Sequence, residues 1–241
     1  MSKIYTLYRG DNYLKIRSEW EPWYTKDFNA THDKPSYIDS RKKYVEIFLL
    51  SNLKLIPNTL VDYGGDKGQY IPNLNQKKSY VLEVSEINSL PGIEKISNLS
   101  EIEKPDLVIL SHVLEHTSDP IEMLDNLLEN SKVLYIEVPA GCPQPDKTKE
   151  STLKFITTLL SSFNRKYWSS KTQASSGRKS LNRILVQSEH INFFTKESFN
   201  AIASRLSASI ICVESSVPAP DGKQVTVIQC LMTRKKDLFS S

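Results

Sequence analysis

Glycine constrains this chain more than any other residue type, because there is so little of it. Only eight of the 241 residues are glycine, yet Gly64, Gly65 and Gly68 fall within one five-residue stretch. A chain this poor in glycine places it where the backbone bends sharply or approaches something a side chain would block. The cluster directly follows Thr59-Leu60-Val61-Asp62-Tyr63, an apolar run set off by Pro57-Asn58 that reads as a short buried strand. The expected order is strand, glycine turn, helix. Such a turn aims backbone N–H groups and a helix N-terminus at an anionic or polar ligand.

The rest of the chain supplies the partners of that strand. Ser79–Val84, Asp106–Leu110 and Lys132–Val138 are continuous runs of β-branched residues and leucine, as in strands covered on both faces of a parallel sheet. Helical segments separate them. Ser118-Asp119-Pro120 offers a cap and a first-turn proline, and Ile121, Leu124 and Leu128 mark one face of the helix that follows. Thr195 caps a second helix carrying Phe199, Ile202 and Leu206. Ser209–Glu214 and Gln224–Leu231 flank Pro218-Ala219-Pro220-Asp221-Gly222, a connection so short that the two strands must be antiparallel. Ser40–Leu53 reads as a helix ahead of the first strand, and Trp20, Trp23 and Tyr24 form an aromatic group near the start. The fold class is therefore α/β, alternating and ending in a hairpin.

Composition excludes several alternatives. At 39% hydrophobic residues a core can form. No apolar run approaches the roughly 18 residues of a membrane span, the first residues have no apolar signal region, and Cys142, Cys212 and Cys230 are too few and too scattered for a disulfide framework or a zinc ribbon. A cytoplasmic protein is expected. The net charge of +3 is too small to argue for nucleic acid. Its placement says more, since residues 141–189 hold nine Lys/Arg against three acids.

Spacing narrows the ligand. A dinucleotide G-x-G-x-x-G starting at Gly64 fails, because Asp66 and Gln69 stand where glycine or alanine is needed, and the chain holds no G-x-x-x-x-G-K-[ST] phosphate loop. What fits is Asp62-x-Gly64-x-x-x-Gly68 with Glu83 at the end of the next strand, where a carboxylate can accept both hydroxyls of a ribose. With these residues the chain resembles the class I S-adenosylmethionine-dependent methyltransferases. The stretch from Pro105 through Ser111, His112, Glu115 and His116 to Pro120 resembles their fourth strand and following helix. Glu189-His190-Ile191-Asn192-Phe193-Phe194-Thr195 resembles a segment of a bacterial branch whose members often modify sugars and surface glycans.

The resemblance, over roughly residues 58–232, implies a Rossmann-like, mostly parallel seven-stranded sheet with an antiparallel last strand and helices on both faces. It implies S-adenosylmethionine as cofactor, bound by Asp62, Gly64, Gly65, Asp66, Gly68, Glu83 and Ser111, with Tyr37 and Arg41 closing over it from the N-terminal helix. Residues 1–57 are then an N-terminal extension covering the cofactor, and 58–241 the methyltransferase domain with a basic, lid-like insertion at about 141–189. Two departures stand out. Asp66 occupies the place of the family's middle glycine, though aspartate tolerates left-handed backbone better than most residues. Pro72 leaves room for only a short first helix.

His190 and then His112 are the candidate bases, ahead of His116, because imidazole titrates near neutral pH. Glu115 reads as capping or structural. His112 and His116 are spaced like two metal ligands, but without a third His or Cys in the neighbouring sequence no metal is expected. The reading is methyl transfer to a small anionic acceptor, a phosphorylated or nucleotide-linked sugar or a glycan precursor met by the basic stretch. A catalytically inactive scaffold with the same fold is the alternative, and a nucleic-acid partner is not expected, since only Tyr167-Trp168 could stack within the basic stretch. The oligomeric state is not legible.

Overall fold

The computed structural model describes residues 10–21, 24–140, 190–220 and 222–240, all of one compact unit. The basic stretch, with its helical pattern at 151–163, lies outside the described residues, as do Trp23 and the Trp20 side chain. Labels below number the described elements in chain order.

Seven strands form one sheet: β1 (Thr59–Tyr63), β2 (Lys78–Leu82), β3 (Glu94–Ile96), β4 (Leu107–Ser111), β5 (Val133–Pro139), β6 (Ser209–Pro218) and β7 (Gln224–Thr233). Their spatial order is β3-β2-β1-β4-β5-β7-β6. The first five pair in parallel, and β7 runs antiparallel to both β5 and β6. This is the mixed sheet expected from the sequence. Only β3 went unread there, because a three-residue strand of Glu-Lys-Ile carries too little pattern.

Side chains alternate across the sheet as the pleat requires. Val61, Val108, Leu110, Leu134 and Ile136 pack on one face. There they meet α4 (Pro120–Asn130) and α5 (Lys196–Arg205) through Leu124, Leu128, Phe199 and Ala203. Leu60, Leu107, Ile109, Val133 and Tyr135 pack on the other, against Val45, Phe48 and Leu49 of α3 (Pro35–Asn52). Each of these large side chains contributes about 1.5–3 kcal/mol by leaving water. Asp119 Oδ1 caps α4 by accepting from the Glu122 N–H at 2.9 Å, with Pro120 in the first turn. Thr195 and Ser198 form a reciprocal capping pair at the start of α5. Two shorter helices, α1 (Asp11–Trp20) and α2 (Lys26–His32), precede α3, and Tyr13 and Tyr24 meet edge to face between them.

One expectation fails. No helix follows the glycine turn; residues 64–77 are turns and loop up to β2. The reason is local. Gly64, Asp66, Gly68 and Asn75 all take positive φ, and Pro72 has no N–H to donate, so no helical run of hydrogen bonds can start. Any ligand at this turn meets a loop and not a helix N-terminus.

Candidate functional site

Strand order reverses between β1 and β4, which puts the loops after β1, β2 and β4 around one crevice at the carboxyl edge of the sheet. Gly64 has φ of +71°, and a Cβ there would sit 3.0 Å from Val113 Cγ2 in the loop after β4. A Cβ on Gly65 would fall 2.2 Å from the Asp62 carboxyl, and one on Gly68 (φ +76°) 2.7 Å from Ile93 Cδ1. The turn thus depends on glycine at each position. Asp66 takes φ of +55° in the same turn, and its Oδ2 accepts from Gln69 Nε2 at 2.8 Å, both side chains being buried.

Glu83, directly after β2, accepts from the Asp66 N–H at 3.2 Å through Oε2 and from the Ser85 N–H at 2.8 Å through Oε1. A carboxylate offers about four lone-pair sites, so capacity remains for two hydroxyls. Asp62, Asp66 and Glu83 crowd together. Burial, then the charges of Asp66 and Glu83, push the Asp62 carboxyl up to about 7. A glycine-rich turn beside acids that favour a cation or hydroxyl donors suits the amino-acid tail and ribose of S-adenosylmethionine. The residues present fit that cofactor.

The second half of the site is built from residues far apart in sequence. Glu137 of β5 is fully buried, pairs with the Arg41 guanidinium from α3, and accepts from Tyr135 Oη at 2.8 Å and Ser111 Oγ at 3.4 Å. Gln229 Nε2 of β7 in turn donates to Tyr135 Oη at 2.8 Å. His112, with φ of +55°, lies between two acids: Nε2 is 3.2 Å from Glu137 Oε1 and Nδ1 is 3.3 Å from Glu115 Oε1. Burial alone would lower its pKa, but those two carboxylates outweigh it and raise it to about 9. Glu137 moves oppositely, to about 2, because His112 and Arg41 overcome the cost of burying its charge.

His190 lies behind them, its Nε2 3.9 Å from Glu115 Oε1 and its ring edge to face with His116 at 4.7 Å. Burial, with the nearby His116 and His112 against the opposing pull of Glu115, lowers its pKa to about 4. The segment carrying His190 is fastened to the loop after β4: the Ile191 and Asn192 N–H groups donate to Glu115 O at 2.9 and 3.1 Å, and Asn192 Nδ2 donates to Thr117 O at 2.6 Å.

The sequence-predicted residues therefore divide. Asp62, Gly64, Gly65, Asp66, Gly68 and Glu83 come together at the turn, and Ser111, Arg41 and His112 join through Glu137. Tyr37 stacks edge to face on Tyr70 at 5.9 Å. Arg41, read as closing over the cofactor, has one arm on Glu137 inside the protein. His112 and His116 do not share a helix face, because Leu114–His116 is a single 3-10 turn; they meet instead at Glu115. That residue, read as capping or structural, is buried among three histidines. Glu137 was missed altogether. Its signal was an acid inside an otherwise apolar strand, matched by an arginine one turn ahead of Val45 on the apolar face of α3.

A family model described as a methyltransferase domain matches residues 37–212, well over half of the chain. The chain belongs to this methyltransferase family. It is an S-adenosylmethionine-dependent enzyme. Among solved structures the methyltransferase is similar to the plantazolicin methyltransferase BpumL in complex with a monoazolic desmethylPZN analog and SAH (16% identity, 91% of this chain and 94% of that one, TM-score 0.54). It is also similar to the plantazolicin methyltransferase BamL with a triazolic desmethylPZN analog and SAH (13% identity, 92% and 95%, TM-score 0.52). At these identities the likeness speaks for the fold. No curated protein sequence matches. No described helix is long and apolar enough to cross a membrane.

Proposed function

We propose that this methyltransferase moves the methyl group of S-adenosylmethionine to a small anionic acceptor, a phosphorylated or nucleotide-linked sugar or a glycan precursor. The observation that carries the donor half is the glycine turn at the strand-order reversal, with Glu83 hydrogen-bonded directly to it. In this reading Asp62, Gly64, Gly65, Asp66 and Gly68 hold the donor's amino-acid tail, Glu83 its ribose, and Ser111, Tyr37 and Arg41 line the adjoining wall. Bound there, the sulfonium supplies an already electrophilic methyl carbon, so the protein's task is alignment.

His112 has both ring nitrogens on carboxylates. It is therefore a cation facing the acceptor crevice; its side chain, 43% exposed, is the most open of the cluster. His190 sits deeper, with Glu115 and His116. When the acceptor is a hydroxyl, the bound donor would supply its methyl group and the acceptor oxygen would give up its proton, with the residues of the crevice holding the two in line. The acceptor class is supported by the charge of residues 141–189 alone. Incubation with methyl-labelled donor and a panel of nucleotide sugars, sugar phosphates, RNA and neutral small molecules tests it. Label in the phosphorylated sugars supports the reading, and label only in protein, RNA or uncharged compounds overturns the acceptor class.

A further inference from the structure

We propose that Glu115, His116 and His190 form a binding site for a divalent first-row transition-metal ion. One ligand atom from each lies within 4.8 Å of the other two. Glu115 Oε1 is 4.0 Å from His116 Nε2 and 3.9 Å from His190 Nε2. Two ligands on one ion at bonds of about 2.1 Å sit about 3.0–3.5 Å apart, so closure needs a shift of about half an ångström on each Glu115 edge and of up to about 1.3 Å between the two imidazoles, which side-chain torsions supply.

The independent observation is the state of Glu115. Its side chain is buried, and neither carboxylate oxygen accepts a hydrogen bond. His112 Nδ1 pairs with Oε1 at 3.3 Å, while His116 Nε2 and His190 Nε2 stand at 4.0 and 3.9 Å from it. A buried carboxylate normally recruits donors or a cation on both oxygens, and the His112 pair reaches Oε1 alone. The backbone already makes the frame, because the carbonyl of Glu115 accepts from Ile191 and Asn192 and so fixes the segment bearing His190. Ligands held on such a framework are pre-positioned.

Two imidazoles and one carboxylate favour zinc, manganese, iron or cobalt over magnesium or calcium, which prefer all-oxygen shells. Three protein ligands leave coordination positions open, and the acceptor's oxygen is the chemical class that would complete the shell. The site stands on its own geometry; only this link to the acceptor rests on the methyl-transfer reading. His190, ranked first from sequence as a base, is here a ligand.

The test uses the full chain stripped by chelator. Manganese uptake is followed by loss of the free-ion electron paramagnetic resonance signal, zinc uptake by calorimetry, and demethylated cofactor binding by calorimetry on the same sample. One ion per chain is expected, with affinity lowered at least about tenfold in His190→Ala and in Glu115→Gln, and unchanged in His32→Gln. Should Glu115→Gln fail to fold, His190→Ala and the visible bands of the cobalt-loaded parent decide. Cofactor uptake without metal uptake, or metal uptake indifferent to His190→Ala, overturns the site. Metal uptake without cofactor uptake supports the site and counts against the methyl-transfer reading instead.

Discussion

The two edges of the same sheet treat charge in opposite ways. At the amino edge, Asp106 is buried and satisfied: Oδ2 accepts from the Asn58 and Thr59 N–H groups at 2.7 and 3.1 Å, and Oδ1 meets Lys132 Nζ at 2.5 Å. That one carboxylate joins β1, β4 and the start of β5, and its pKa falls because these partners outweigh burial. At the carboxyl edge, Asp62, Asp66 and Glu83 share one turn, Glu115 is buried without hydrogen bonds, and Asp66 and His112 hold left-handed backbone. One edge is arranged for stability. The other retains crowding and strain that a ligand relieves, as functional sites do.

The largest test of this contrast is Glu137→Ala. It strands the Arg41 guanidinium inside the protein and removes a partner of His112 and Tyr135. A loss of about 3–5 kcal/mol is expected in urea unfolding; a loss below about 1 kcal/mol would show that the hub is not structural.

Next comes pH. The folded-state pKa of Asp62, about 7, lies above its unfolded value, so the folded protein binds that proton more tightly. Its contribution is intact in acid and is lost as pH rises from about 4 to about 7, on the order of 4 kcal/mol over the full span. Asp62→Asn should flatten that slope, read from unfolding midpoints at several pH values. The charges that raise the Asp62 pKa, after burial, are those of Asp66 and Glu83. An unchanged slope would mean that the acids at the turn do not compete.

The amino edge should show the reverse sign. The folded pKa of Asp106 is depressed, so its stabilisation is present above the unfolded value and disappears as pH falls through the folded one. Asp106→Ala leaves two backbone N–H groups without their acceptor and should cost about 1–3 kcal/mol at neutral pH, shrinking in acid. If both edges respond to pH alike, the contrast between them fails. The smallest effect is at α5, away from both edges: Thr195→Ala removes the cap and should cost about 1 kcal/mol without changing cofactor affinity.

Much of this was readable because it is local. Strand runs, the glycine turn, the Asp119-Pro120 start of α4, the Thr195 cap and the antiparallel final pair each rest on neighbours within a few residues. The helix expected after the turn was not realised, because positive φ values at Gly64, Asp66 and Gly68, with Pro72 beyond them, outweigh the pattern of the family. His112 and His116 were paired by spacing, but the 3-10 turn between them turned that pairing into contact through Glu115.

The sequence by itself determined the α/β order, the glycine-rich turn and the acid after β2, since backbone geometry and apolar periodicity act over short range. Tertiary structure alone decided that Arg41 reaches Glu137 across 96 positions, and that His190 joins Glu115 and His116 through the Asn192 clamp. Parallel pairing places distant strand ends side by side, and a buried charge is stable only where such distant partners arrive.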